Sequence, residues 1–449
     1  MSVQDERAQP QPAPGWLTTL ALILVAISPT QFSYAYDKKH GPFIAACDVF
    51  AGILFLVWLA VRGRYWKSLR RPPLQVWAWL AVVALSATQA GDLKQAAVKI
   101  IQVGLYFVAV YVMYCDLFAS RRGVRQAVSV LAGATAVVVL WGLVDYVRQG
   151  GPAGDPMLVR ASLENRNIYS AYLAMVLPVM LALSFAAKDG IQRAVLLAVV
   201  AVGTITMLSG LMVWIVLAVM LGLLIWGGFR PRPAPEIIGL LVLGALVIGV
   251  LPRNASENTR ECFDPIERGQ VFKTGGMPGD IPPGLVILKK RWIEWHPALR
   301  MLSEHFMLGV GTGNYQLNIG RYYETLPDAK KSQADTANLY LVTASSEGFA
   351  SLICLVALLA LFWRQSRAMR GLVADAWGRA LSAGICGAVI SLVIANFFTS
   401  LFVRGAGLVW VLLFALTTLV VHDRVLLTRD DTIPEGFASP PKHESEASQ

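Results

Sequence analysis

Apolar and polar positions alternate in long blocks along this chain, on a scale much coarser than one helical turn. Runs of about 15 to 27 mostly apolar residues recur through the sequence, and most are long enough to cross the hydrocarbon core of a bilayer as a helix. Twelve such runs stand out, at about 15–31, 43–62, 74–88, 96–118, 123–147, 167–187, 191–209, 211–229, 236–252, 337–363, 377–401 and 407–423. The third is short, which predicts a helix that tilts little or extends into its flanks. The seventh and eighth are barely separated, and a re-entrant pair there would change the count. The predicted fold class is an all-α integral membrane protein of about twelve transmembrane helices. One polar stretch breaks the rhythm and predicts a large, partly helical loop between helices 9 and 10. The chain then divides into 1–252 with helices 1–9, a loop domain at 253–336, 337–424 with helices 10–12, and a polar, acidic tail at 425–449 predicted to be disordered.

Composition agrees with this division. Of 449 residues, 55% are hydrophobic and only 15% charged, and mean hydropathy is +0.54. A soluble domain of this length cannot hide that much apolar surface. The first 14 residues are polar and proline-rich, with neither a basic leader nor a clear cleavage site, so the first run reads as a retained helix.

Lysine and arginine in the short loops set the orientation. One alternating set carries sixteen: Arg62, Arg64, Lys67, Arg70 and Arg71; Arg121, Arg122 and Arg125; Lys188 and Arg193; Arg230 and Arg232; Arg364, Arg367, Arg370 and Arg379. The opposite set carries seven: Lys38, Lys39, Lys94, Arg148, Arg160, Arg166 and Arg404. The first set is expected to be cytoplasmic, with both termini, which puts the large loop outside. The net charge of +10 follows from this topology, and no motif points to nucleic acid. Of five cysteines only Cys262 falls in the large loop, so no disulfide framework is expected.

Candidate chemistry gathers on the outer face. The large loop holds the basic stretch Lys289-Lys290-Arg291, and positive charge above a bilayer suits a lipid-borne phosphate. A helix is expected from about Leu285 to Phe306, because Trp292, Trp295, Leu299, Leu302 and Phe306 recur at helical spacing. Pro297 should kink or restart it, and its tryptophans would sit at headgroup level. The plainer reading is an ordinary surface helix with a solvated charged face. Gly309-Val-Gly-Thr-Gly-Asn314 lacks the spacing of a dinucleotide or phosphate loop and reads as a tight turn. No His, Cys, Asp or Glu cluster has metal-ligand spacing. Asp48, Lys99 and Asp145 lie within spans, near their outer ends. Such residues either reach a functional cavity or snorkel to the interface.

Four segments resemble one family. Arg160-x-Ser162-x-x-Asn165-x-Asn167, with Tyr172-Leu173 and Leu177-Pro178, is similar to the region before the middle helices of the O-antigen ligase and polymerase superfamily. So are Arg291-x-x-x-Trp295-x-x-Ala298-Leu299 and Leu308-Gly-Val-Gly-x-Gly-Asn314. The junction Ala337-Asn338-x-Tyr340-Leu341, followed by Glu347-Gly348, completes the set. The resemblance covers about 160–351. It implies a GT-C-type enzyme of the bacterial inner membrane, with its active site facing the periplasm. The ligases of this family transfer O-antigen polysaccharide from undecaprenyl diphosphate to lipid A-core by metal-independent inverting transfer. The polymerases and the protein O-oligosaccharyltransferases are the alternatives within the family, and a transporter is the alternative outside it.

By that resemblance Arg160 and Arg291 grip the donor diphosphate, with Lys290, Arg166 and Arg300 as helpers and Asn165, Asn167 and Asn338 in support. No cofactor is implied. The expected partners are the carrier-linked polysaccharide, the lipid A-core acceptor and membrane lipids. The chain departs from the family at Ala337, where the ligases have histidine. An imidazole there would take the proton of the attacking hydroxyl, help typically worth about 10²–10⁴-fold. Alanine there reads either as a substitution that disables the enzyme or as a natural member with another base, for which His305 and His296 are nearest. The family's Ser-Arg-Gly before helix 8 is also missing; Ser209-Gly210-Leu211 stands near it.

Overall fold

The computed structural model describes residues 13–30, 33–35, 43–149, 159–163, 166–207, 211–227, 229, 237–243, 286–323, 336–373, 375–399, 405–423 and 425–426, the side chains of 33–35, 43, 66–68, 211 and 286–294 excepted. These residues are mostly helical. Their one sheet is a hairpin of two three-residue strands, β1 (Ser33–Ala35) and β2 (Phe43–Ala45). The helices are α1 (Gly15–Ile27), α2 (Ala46–Arg62), α3 (Leu74–Ser86), α4 (Leu93–Gly104), α5 (Tyr111–Leu117), α6 (Arg121–Arg148), α7 (Arg166–Ser184), α8 (Gly190–Thr206), α9 (Leu211–Trp226) and α10 (237–243). There follow α11 (Val286–Glu304), α12 (Tyr315–Ile319), α13 (Leu339–Glu347), α14 (Phe349–Leu372), α15 (Ala376–Ala395) and α16 (Gly405–His422). A π-helical turn, Leu105–Val110, joins α4 to α5.

Among the described residues, seven helical stretches are long and apolar enough to cross a membrane: 46–65, 93–117, 121–148, 166–184, 349–372, 376–395 and 405–422. Four shorter apolar helices accompany them, at 15–27, 74–89, 190–206 and 212–226. Side-chain caps start several helices where the sequence supplies a short polar residue. Asp92 accepts from the amides of Lys94 and Gln95, Ser120 from Gly123, and Asp189 from Gln192.

Helix α7 is the centre of the bundle, buried along nearly its whole length. It packs most extensively on α15. Small residues permit that approach, as in other membrane helix pairs: a Cβ on Gly384 would lie 2.7 Å from Val179 Cα. Pairs of hydroxyls cross the same core. Tyr169 and Thr206 meet at 2.7 Å, and Tyr172 and Thr135 at 2.8 Å. The arginine-rich end is laced with ion pairs. Arg62 meets Asp116 at 2.8 Å, Arg121 meets Asp375 at 2.9 Å, and Arg70 pairs with Asp423.

One predicted span is divided. The apolar run 337–363 forms two helices, α13 and α14, broken at Gly348, whose φ of 87° and ψ of 167° no helix tolerates. Gly348 is pressed against the carbonyl of Met307, leaving no room for a side chain. The helix long enough to span therefore starts at Phe349, and α13 is a separate arm above it. Of the predicted ninth span, 237–243 is helical and 244–252 lies outside the described residues, as do 253–285 of the loop and the tail after 426. None of the four described cysteines forms a disulfide with another.

Candidate functional site

The glycine turn is a clamp between the loop and the bundle. Gly311, at φ 101°, passes so close to the connection after α3 that a Cβ would lie 2.9 Å from that of Ala90. Hydroxyls pin both sides: Thr312 Oγ1 donates to Val83 O at 2.7 Å, and Ser86 Oγ to Leu308 O at 2.7 Å. Asn314 is fully buried. Its Oδ1 accepts from the Asp92 amide at 2.7 Å, and its Nδ2 donates to the carbonyls of Asp92 at 3.1 Å and Thr312 at 2.9 Å. With the Thr312 and Asn314 side chains so engaged, the turn fastens the loop to the bundle.

The clamp continues into α13 and α11. Val310 N donates to Ser345 O at 3.0 Å, and Phe349 N to Phe306 O at 2.9 Å. Ser345 Oγ donates to Ala298 O at 2.9 Å, tying α11 onto α13. Pro297 lies within α11 without interrupting its assignment. Among the described side chains of this helix, Pro297, Ala298 and Met301 are buried, and Leu299 is exposed. Trp295 stacks obliquely on Phe398, with ring centroids 6.4 Å apart, so it faces the rim of the bundle.

The junction before α13 is held as firmly. Thr336 is fully buried and hydrogen-bonds Tyr315. Asn338 caps α13 by accepting from Leu341 N at 3.1 Å, and Leu339 N donates to Asn396 O at 2.9 Å. Ala337, between them, is half-buried at φ 45°. Non-glycine residues rarely enter this left-handed region, where histidine is several-fold enriched.

Arg160 belongs to a second loop, which the 3₁₀ turn Ala161–Leu163 closes. Asp145, near the end of α6, accepts from Ala161 N at 2.8 Å, and Ser162 Oγ donates to Pro29 O at 2.8 Å. These bonds leave Arg160 exposed. Ala161 has φ 48°. Thus the non-glycine residues at positive φ, among those described, are Ala161 and Ala337, one beside and one at the positions singled out from sequence. Arg166 and Asn167 begin α7 and are half-buried. Arg300 is exposed on α11, a turn before Glu304. Glu304 accepts from Tyr322 OH at 2.7 Å; burial and that carboxylate push the Tyr322 hydroxyl up to about 12. The side chains of Lys290 and Arg291, and all of Asn165, lie outside the described residues. The structure thus joins Ala337, Asn338 and the helix of Arg300 in one clamped unit, with Arg160 on a separate loop.

Two of the three ionisable residues singled out within spans, Asp48 and Asp145, are held by hydrogen bonds. Asp48 accepts from Ala45 N at 3.0 Å and from Tyr106 OH, while Asp145 holds the Arg160 loop. Lys99 faces Glu347 electrostatically. Trp79 Nε1 donates to Ser351 Oγ at 2.9 Å, which donates to Glu347 Oε2 at 2.6 Å. Sequence patterning points to Lys99 but not to this set of partners. Glu347 and Ser351, one turn apart, were the available signal. Among the described residues, no group of three His, Cys, Asp or Glu is placed to hold a metal ion.

A lateral apolar groove of about 610 Å³ opens between α14 and α15, walled by Leu352, Val356, Val393 and Phe397 and headed by Tyr340. Tyr340 OH donates to Val393 O at 2.8 Å, and its ring lies 4.6 Å from that of Phe397. Ala337 is three residues from this head. No family model matches the chain, and no curated protein matches it.

Proposed function

We propose that the chain is a GT-C-type glycosyltransferase of the bacterial inner membrane. It transfers O-antigen polysaccharide from undecaprenyl diphosphate to lipid A-core at the periplasmic face, without a metal ion. The observation that carries the reading is the pairing of strain and groove. Left-handed backbone at Ala161 and Ala337 marks the two loops on which the family resemblance places diphosphate grip and proton transfer. Backbone strain of this kind persists where surrounding structure over-determines it, and it clusters at functional sites. Three residues on from Ala337, Tyr340 heads a groove that offers an apolar bed for an isoprenoid tail.

In this scheme the carrier lies with its tail between α14 and α15 and its diphosphate at the outer rim. Arg160 and Arg291 grip the diphosphate, helped by Arg166, Lys290 and Arg300. As the glycosidic bond breaks, charge builds on the leaving diphosphate, and preplaced guanidinium groups stabilise it. The acceptor hydroxyl attacks the anomeric carbon from the opposite side, and the diphosphate leaves with the electrons of the broken bond; a histidine at position 337 would take the hydroxyl proton. With alanine there the chain transfers slowly, or by way of another base, for which His305 and His296 are nearest.

The test is Ala337→His, assayed with carrier-linked polysaccharide and lipid A-core in proteoliposomes. Transfer should rise by about 10²-fold or more. An unchanged rate in a variant that folds and inserts normally would overturn the assignment of position 337.

A further inference from the structure

A second groove, of about 630 Å³, lies at the arginine-rich end of the bundle between α9, α14 and α15. Small residues, Ala218, Gly222 and Gly387, leave it open. Along α15 it runs from Ala383 to Ile394, eleven helical steps or about 16 Å. That matches the depth of one leaflet, about half of a 30 Å hydrocarbon core. Arg367 and Arg370 stand at its mouth beside Trp226 and Trp363.

The two arginines are placed differently from others at that end. Arg62, Arg70 and Arg121 are each in an ion pair with an aspartate. Arg367 and Arg370 are exposed and, among the described residues, pair with no carboxylate. Arg370 donates to the Trp226 carbonyl at 3.3 Å, and Arg367 lies over the Trp363 ring at 5.9 Å. Two positive groups at headgroup level, flanked by tryptophans and leading into an apolar slot one leaflet deep, match a single chemistry.

We propose that this groove binds one anionic glycerophospholipid of the arginine-rich leaflet, its phosphate between Arg367 and Arg370 and an acyl chain along α15. A juxtamembrane arginine attracts acidic lipid by about 1 kcal/mol. The site bridges α9 and α14 and so braces the end of the bundle opposite the clamped loop. It rests on insertion in a membrane and not on the transferase reading.

The experiment uses the full chain purified in detergent, with native mass spectrometry and thermal unfolding. Phosphatidylglycerol should remain bound and raise the melting temperature. Phosphatidylcholine with the same chains, and inorganic phosphate, should do neither. Arg367→Gln with Arg370→Gln should weaken phosphatidylglycerol binding about tenfold or more, and the corresponding double lysine variant should restore most of it. Ala218→Trp, on the exposed wall of the slot, should displace the lipid with both arginines intact. Equal retention of phosphatidylcholine, binding of phosphate alone, or full binding by the double glutamine variant would each overturn the proposal.

Discussion

Replacing Gly348 by alanine tests whether the loop is clamped to the bundle as described. At φ 87° and ψ 167° this residue occupies a region that is essentially glycine's alone, and an L side chain there costs about 1–3 kcal/mol. The added methyl would also overlap the Met307 carbonyl and lie 2.8 Å from Leu308 Cα. Relief requires the 306–308 strap to retreat, which breaks the bond from Phe349 N to Phe306 O, worth about 1 kcal/mol. The summed effect is about 2–4 kcal/mol, directed at the contact between the loop and α14. Gly52 is the control. It lies within α2, and an added Cβ there would meet nothing within 4 Å, so alanine should be neutral or mildly stabilising. The assay is thermal unfolding of both variants in the same detergent, with limited proteolysis of the loop. Gly348→Ala should melt earlier and lose loop protection, and Gly52→Ala should not. Equal melting curves for the two would refute the clamp.

Two further substitutions probe the frame around the site. Asn314→Ala removes three hydrogen bonds and strands the Asp92 amide, a loss of about 2–4 kcal/mol; an unshifted melting temperature would contradict the role given to the turn. Asp116→Ala leaves the Arg62 guanidinium, 5% exposed, without its counter-charge. Removing one partner of such a pair costs about 3–5 kcal/mol, and the double variant Arg62→Met, Asp116→Leu should recover much of it in denaturant unfolding; no recovery would contradict the pairing argument.

Much of the helical layout was legible because membrane spans announce themselves by length and apolarity alone. The runs at 43–62, 96–118, 123–147, 167–187, 377–401 and 407–423 each overlap most of a helix long enough to span. The break at Gly348 was not legible. A single glycine in an apolar run carries no sign that another strand of backbone lies against it, and Met307 is 41 residues away in sequence. Spacing along α11 gave the helix but not its tie to α13 at the small Ala298, because spacing ranks residues by apolar size. The partners of Asp48, Asp145 and Lys99 come from other helices or from backbone amides, which no single-segment pattern reveals. At the candidate site, sequence marked positions 160 and 337, and the left-handed backbone beside and at them emerged only in three dimensions.

Central to the proposed function is a polyprenyl diphosphate bound at the outer rim with its tail between α14 and α15. A cryo-EM map of the full chain with such a carrier tests this most directly. Phosphate density is expected within reach of both Arg160 and Arg291, close to Ala337, with an apolar tail running past Tyr340 and Phe397. A diphosphate at the arginine-rich end, or arginines too far apart to touch one headgroup, would contradict it.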